Sequence, residues 1–368
     1  MFRLASAAIC LSLVSANWLF AASYAITDLG DLGFADSYAG DINQNGQITG
    51  TSYINSNSTR AFIYTDGVMS SLGALSVNGM NNSNAYRINN LGQVVGCSCN
   101  DACLFSNGTI TDLSCLPGFT AHAAYGINDL GQVVGGSDAV PGYDHGCAYL
   151  YSSGLMTLLG TLPGYNFDSE AEAINNSGQV VGTSYSLDNT WHAFLYEKGQ
   201  MEDLGALPGC TFSSAYDINS HGQIIGDSGN VNSPTFSHGF LYDNGKMTDL
   251  GVIAGFTYET TPSGINDLGQ VVGDCIRSSD YLHHAFLYQN GTIIDLNTMI
   301  DSSSGWTLEE ATAINDSGQI VGNGTNPAGQ THAFLLTPTP EPSTLTLLLT
   351  GAVSLLAYAW RRRRQRRA

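Results

Sequence analysis

Residues 174–182 read Ile-Asn-Asn-Ser-Gly-Gln-Val-Val-Gly, and the fold is decided by how often that stretch returns. The unit Ile-Asn-x-x-Gly-Gln followed by two β-formers and Gly starts at Ile42, Ile88, Ile127, Ile174, Ile218, Ile265 and Ile314, seven times in all. The spacings are 46, 39, 47, 44, 47 and 49 residues. Self-similarity at such a period marks stacked or circular repeats, each one supersecondary unit. A second unit follows each copy: Ala61 to Tyr64, Ala102 to Phe105, Ala148 to Tyr151, His192 to Tyr196, His238 to Tyr242, His284 to Tyr288 and His332 to Leu336. A third, built on Asp-Leu-Gly, comes after most of these, as at Asp203 to Gly205 and Asp249 to Gly251.

Each repeat reads as four short strands. Strand A ends at Ile-Asn. Asn-x-x-Gly then turns the chain, because Asn bonds its own backbone and Gly accepts positive φ. Strand B is the Gln-Val-Val run. Strand C is the His-Ala-Phe-Leu-Tyr unit, apolar on both sides as a strand between packed sheets must be. Turns such as Asn244-Gly245 and Asn290-Gly291 lead to strand D, and Asn-Gly is a strong hairpin signal. Four antiparallel strands per roughly 45 residues fit a propeller blade. The last repeat lacks strand D before Pro338, while Tyr24 to Gly30 looks like a strand D without a repeat. The expectation is an all-β, seven-bladed propeller closed by the N-terminal strand, which hides edges open to pairing with other chains. An open β-solenoid is the rival.

The repeat units resemble the HAF repeats, a family of extracellular repeats named for His-Ala-Phe. The resemblance covers nearly the whole body and implies no activity.

The termini read as addresses. Residues 1–25 form a secretory signal: Arg3 leads, Leu4 to Phe20 is apolar, and Ala21, Ala22, Ser23 and Ala25 form the cleavage region. The repeat body is then 26–337. The tail, 338–368, carries Pro340-Glu341-Pro342, an apolar stretch Ser343 to Trp360, and a cluster beginning Arg361, Arg362, Arg363, Arg364. As a helix, 343–360 is about 27 Å long, enough to cross a thin bilayer. The arginines place its end in the cytoplasm and the body outside. This three-part order resembles the PEP-CTERM sorting signal. That resemblance implies an exosortase-type membrane enzyme as partner, and a surface or exopolysaccharide-matrix location.

Once both ends are set aside, the basic residues are Arg60, Arg87, Lys198, Lys246 and Arg277, against 31 acidic residues in the whole chain. An acidic body repels nucleic acid and anionic lipid and attracts cations. Calcium is therefore a candidate ligand, though no cofactor is expected. The 43 glycines and low charge suit tight turns in a packed β-fold.

In such a repeat the A–B and C–D turns share one end, and the B–C and D–A connections share the other. The first set is uniform. The second varies, with long B–C segments expected at Gly136–Gly146 and Asp227–Ser237. Binding residues concentrate on variable loops over a rigid scaffold, so this end is the candidate surface for an envelope glycan.

Other residue sets read as structural. The position before Ala in strand C holds Arg60, Asp101, Cys147, His192, His238, His284 and His332. One per repeat, with varied chemistry, fits packing or capping better than a metal site, which needs converging ligands. Cys97, Cys99, Cys103 and Cys115 cluster in the second repeat. In an exported chain they are candidates for a disulfide cluster, with seven cysteines left after signal removal and the pairing open. No G-x-S-x-G, H-E-x-x-H or phosphate loop occurs. Glu170 with Glu172 and Glu309 with Glu310 are acidic pairs of the kind glycoside hydrolysis uses, but their place before Ile-Asn reads as exposed. No catalytic residue is assigned. The expectation is an exported, non-enzymatic structural or adhesive protein; the alternative is a propeller enzyme acting on polysaccharide.

Overall fold

The computed structural model describes residues 23–339 except 77–80, 114–120, 138–144, 166, 189 and 231–232. The segment 1–22 and the sorting tail from Pro340 onward, with Glu341, Pro342, the 343–360 stretch and Arg361 to Arg364, lie outside the described residues. Among the described residues no helix is long and apolar enough to cross a membrane.

The chain alternates short strands and tight turns. It opens with β1 (Tyr24–Asp28), then β2 (Ser37–Ile42), β3 (Ile48–Asn55), β4 (Ser58–Thr65) and β5 (Val68–Gly73). The second repeat gives β6 (Ser83–Ile88), β7 (Val94–Ser98), β8 (Asp101–Ser106) and β9 (Thr109–Asp112). The third gives β10 (Ala121–Ile127), β11 (Val133–Ser137), β12 (Cys147–Ser152) and β13 (Leu155–Gly160). The fourth gives β14 (Asp168–Ile174), β15 (Val180–Tyr185), β16 (Trp191–Glu197) and β17 (Gln200–Asp203). The fifth gives β18 (Phe212–Ile218), β19 (Ile224–Asn230), β20 (Ser233–Asp243) and β21 (Lys246–Asp249). The sixth gives β22 (Glu259–Ile265), β23 (Val271–Ile276), β24 (His283–Gln289) and β25 (Thr292–Asp295). The seventh supplies β26 (Thr307–Ile314), β27 (Ile320–Thr325) and β28 (Thr331–Pro338). Helix is confined to two 3-10 turns, Leu296–Thr298 and Ser302–Ser304, among the described residues.

Each repeat pairs as an antiparallel four-stranded sheet in chain order. The fifth and sixth are joined into one eight-stranded path by a single parallel bridge, Ser237↔Glu259. In the remaining sheet the order is β1-β28-β27-β26. The first described strand thus completes the last repeat, in register from Tyr24↔Pro338 to Asp28↔Phe334.

Two local features generate the repeat. The C–D hairpins place both turn residues at positive φ, for example Asn244 (49°) and Gly245 (80°), which matches the twist of the flanking strands. Every strand A carries a register shift two to three residues before its Asn, as at Ala215/Asp217. The shift drives a strand A carbonyl against the last glycine of the motif. A Cβ on Gly226 would sit 1.8 Å from Ser214 O and 2.8 Å from the Phe240 ring. No side chain fits there, so the terminal Gly recurs.

The core lies between sheets. Phe62, Tyr149, Phe194, Phe240, Phe286 and Phe334, the same strand C position in successive repeats, are fully buried. Cys103 holds that position in the second repeat and is equally buried.

The turn asparagines tie neighbouring repeats together. Asn43 Nδ2 donates to Asn89 O, Asn89 to Asn128 O, Asn128 to Asn175 O and Asn175 to Asn219 O. Asn219 donates to Asn266 O, Asn266 to Asn315 O, and Asn315 back to Asn43 O at 3.2 Å. A circuit that returns to its start requires the sheets to surround an axis, and the fold is propeller-like.

Candidate functional site

Strand polarity gives the body two unlike ends. The A–B and C–D turns form a turn end; the B–C and D–A connections form a loop end. At the turn end each motif Asn saturates its own turn. Asn219 Oδ1 accepts from His221 N (3.1 Å) and Gln223 N (3.0 Å), while Nδ2 donates to Gln223 Oε1 (2.8 Å) and to the next repeat.

The axial channel rises from this amide ring. One layer up, Arg87 reaches Asp217 at 3.5 Å and Tyr216 O at 3.3 Å. These belong to the second and fifth repeats, so the guanidinium crosses the axis. Asp41 in the same layer accepts from Ile42 N and Ile88 N at 2.8 and 2.9 Å. Loss of solvent nonetheless raises its carboxyl to about 6, against the pull of Arg87.

Farther toward the loop end the A and B strands carry a group of acids and tyrosines. Glu172 is pushed up to about 7, first by desolvation and then by the charge of Glu170, with Arg87 opposing. Desolvation also raises Glu170, Asp227 and Glu310. Asp227 accepts from Tyr216 OH (2.8 Å) and Glu310 from Asn323 Nδ2 (3.1 Å), and a further acid, Asp274, pairs with His283 (2.7 Å). Glu170 lies 3.8 Å from His122 Nε2. The rings of Tyr86 and Tyr125 stand 5.7 Å apart beside them.

The placement of these acids corrects the sequence reading. Glu170, Glu172 and Glu310 sit on innermost strands and are not displayed on exposed lead-ins. Their signal was present in the register: strand A neighbours Ala171 and Ala311 pack into the core, which turns the intervening residues toward the axis. That strand A is the innermost strand was not legible locally.

The loop end carries rings. Of its exposed large apolar side chains among the described residues, Phe34, Tyr38, Phe167 and Tyr281 are aromatic and Leu187 is aliphatic. Trp191 stacks on Phe212 with centroids 4.4 Å apart, and Tyr258 meets Tyr281 at 5.4 Å. A groove of about 370 Å³ opens between Gly164-Tyr165 and the connection holding Ser186, Leu187, Asp188 and Thr190.

The two segments expected as long loops differ. Asp227–Ser237 is largely hairpin, because β19 and β20 stay paired through Gly229↔Ser237 and Asn230↔Ser233. Gly136 belongs to β11, and 138–144 lies outside the described residues.

The strand C histidines face the acid of the Asp-Leu-Gly unit. His192 meets Asp203 at 2.9 Å, His238 meets Asp249 at 3.1 Å, and His284 meets Asp295 at 2.7 Å. His332 meets Asp28 at 2.7 Å across the seam, so the first strand restores the pair its repeat lacks. Among the described residues no group of three or more metal-type ligands converges.

Three of the four clustered cysteines fall among the described residues. Cys97, Cys99 and Cys103 are free thiols. Cys97 pairs with Ala102 and Gly96 with Cys103, which puts Cys97 and Cys103 on opposite faces of one sheet. Cys103 is a core residue whose thiol is raised to about 12 by burial. Cys97 instead touches Tyr86 OH at 3.2 Å, and Cys99 sits in the hairpin turn with φ 54°. Cys115 lies outside the described residues.

Residues 338–364 match the PEP-CTERM protein-sorting motif. The PEP-CTERM tail is a sorting signal recognised by exosortase, a membrane protease, and it marks an exported surface protein. No curated protein matches the chain. Among solved structures, a puromycin-hydrolyzing peptidase from Mycobacterium tuberculosis aligns at TM-score 0.52 and 11% identity, over 83% of this chain and 52% of the peptidase. The extracellular domain of the one-component system BT4673 from B. thetaiotaomicron aligns at 0.50 and 12%, over 84% of this chain and 39% of that one. YCF48 bound to D1 peptide aligns at 0.50 and 11%, over 86% of this chain and 97% of that one. The chain therefore spans about half of the peptidase. These likenesses concern the fold of the body that precedes the sorting motif, not its chemistry.

Proposed function

We propose that the body is a seven-bladed β-propeller of HAF-type repeats that binds glycan at its loop end, without catalysis, as a structural or adhesive component of the cell surface or exopolysaccharide matrix. The observation that carries this reading is the segregation of exposed rings: among the described residues, four of the five exposed large apolar side chains at the loop end are aromatic. Flat aromatic faces offer large contact area at little entropic cost, and sugar rings present C–H faces of matching size. The groove beside Tyr165 adds Ser186, Asp188 and Thr190 as polar partners for hydroxyls. The acidic body disfavours polyanionic chains, so the glycan is neutral or amino-bearing. In this reading signal cleavage falls before Tyr24, which is buried and donates its N–H to Met299 O at 2.9 Å. The 343–360 stretch spans the membrane until the tail is processed.

The test is calorimetric titration with the producer's own exopolysaccharide. Saturable binding without new reducing ends is expected, with a several-fold loss in a Tyr281→Ser, Leu187→Ser variant. Full retention of affinity in that variant would refute the loop-end site. A second reading, a polysaccharide-cleaving enzyme, is favoured by one feature, the carboxyl of Glu172 held near 7 beside Glu170. Release of reducing ends, abolished by Glu172→Gln, would support it.

A further inference from the structure

The turn end has exposed apolar side chains of a different kind. Leu91, Leu130 and Leu268 are 68%, 70% and 70% exposed, and Val68 and Leu155 are 62% and 73% exposed. All five are aliphatic. The three leucines occupy one repeat position, the second x of Ile-Asn-x-x-Gly. Their backbones are fully engaged: Leu91, Leu130 and Leu268 each donate N–H to the Asn Oδ1 of their own turn at 3.1 Å. The side chains contribute nothing to that geometry, since Asn45, Ser177 and Ser317 serve at the same position.

The path of the chain supplies the occupant. β28 runs toward the turn end and finishes there at Pro338. A Cβ placed on Gly318, in the last motif turn, would lie 3.3 Å from the Pro338 ring. Only Thr339, Pro340, Glu341 and Pro342 separate this point from the apolar stretch at Ser343. Four residues reach at most about 14 Å fully extended. Two of the four are prolines, which stiffen the linker.

We propose that, in the tethered precursor, the turn end rests on the lipid headgroup surface, with Leu91, Leu130, Leu268, Val68 and Leu155 dipping into it. This rests on the reading of 343–360 as a membrane span. The short tether supplies a high effective concentration, so five scattered aliphatic side chains suffice where they would not hold a free protein. Lys198 and Lys246 stand at the turn end, but Asp66, Asp129, Glu197, Asp243, Asp267 and Asp316 outnumber them there, so this end has no net attraction to anionic lipid. Contact is therefore through apolar insertion and is stronger on zwitterionic bilayers. The loop end then points away from the membrane, toward matrix glycan.

The experiment uses the full chain reconstituted into phosphatidylcholine vesicles, with and without phosphatidylglycerol. The photo-crosslinker p-benzoylphenylalanine replaces Leu91, Leu130 or Leu268 at the turn end, or Leu187 or Tyr281 at the loop end. Lipid adducts several-fold more abundant from the turn end are expected, and fewer with phosphatidylglycerol. Co-flotation with equal labelling of both ends, or more from the loop end, would overturn the orientation while leaving the span intact. Failure of the chain to float with vesicles would remove the span, and the orientation with it. A second variant, Leu91→Ser, Leu130→Ser, Leu268→Ser, keeps its melting temperature and loses adducts from a crosslinker at Val68; unchanged adducts would count against the insertion.

Discussion

The turn end and the loop end of the body are built from the same repeats but under opposite constraints. At the turn end one asparagine per repeat does four jobs: two acceptor bonds, one bond to its Gln and one to the neighbouring repeat. A site so occupied cannot vary without cost. At the loop end, Ala61, Ala148, Ala193 and Ala333 N–H each donate to a serine at the start of the next repeat's strand A, but the described connections beyond those ties differ in length and in exposed side chains from repeat to repeat. Repetition therefore marks what holds the ring, and variation marks where the ring is free to meet something else.

Four changes break or sharpen that contrast, beginning with the largest expected effect. Deleting Tyr24 to Asp28 removes five ladder pairs and the Asp28–His332 contact. It exposes β28 as an open edge. Loss of the cooperative melting transition and onset of aggregation in light scattering are expected; a deletion variant that melts like the parent would show that the seam is dispensable. Next, Gly226→Ala forces a methyl group against Ser214 O and the Phe240 ring. Such overpacking costs about 3 kcal/mol or more, read as a lower denaturant midpoint with unchanged slope.

The third change compares the ends directly. Asn219→Ala leaves two turn N–H groups without their acceptor and opens one link of the amide circuit, for a loss of about 1–3 kcal/mol. Tyr281→Ser with Leu187→Ser alters exposed side chains and is expected to move stability by about 0.5 kcal/mol or less. The order reverses for glycan affinity, which the Asn219 variant keeps and the loop-end variant loses. Equal effects on both readouts would erase the distinction between the two ends.

The last change is read against pH, where its effect fades toward pH 5. Glu172 is held at about 7 against an ordinary 4.5. Between those values the folded protein keeps a proton that the unfolded chain releases. The contribution is complete at or below pH 4.5 and is lost as pH rises through 7. Glu172→Gln removes that slope and raises stability at pH 7.5 by about 1–3 kcal/mol, seen as a higher melting temperature whose gap to the parent closes toward pH 5. A gap that widens on acidification would mean the carboxylate is stabilised in the folded state.

Local chemistry was legible in the sequence. Asn-x-x-Gly and Asn-Gly dictate turns because few residues accept those backbone angles. The His-Ala-Phe-Leu-Tyr runs dictate buried strands because both of their faces are apolar. The orphan strand at Tyr24 was readable as the complement of the last repeat, since its Asp-Leu-Gly is the third unit out of place. Other placements were not legible. Cys97 and Cys103 are close in sequence, yet cross-strand pairing sends them to opposite faces of one sheet. Glu170 and Glu172 looked exposed because they stand just before an Ile-Asn turn, yet strand A is the innermost strand.

What the sequence determined alone was the repeat, its turns, its strands and the sorting tail, all encoded in contiguous residues. What only the tertiary structure decided was which groups of different repeats meet around the axis: Arg87 with Asp217, Glu172 with the charge of Arg87, and the asparagines with one another. Those contacts join positions separated by whole repeats, and their desolvation depends on how the sheets close. No local pattern carries that information.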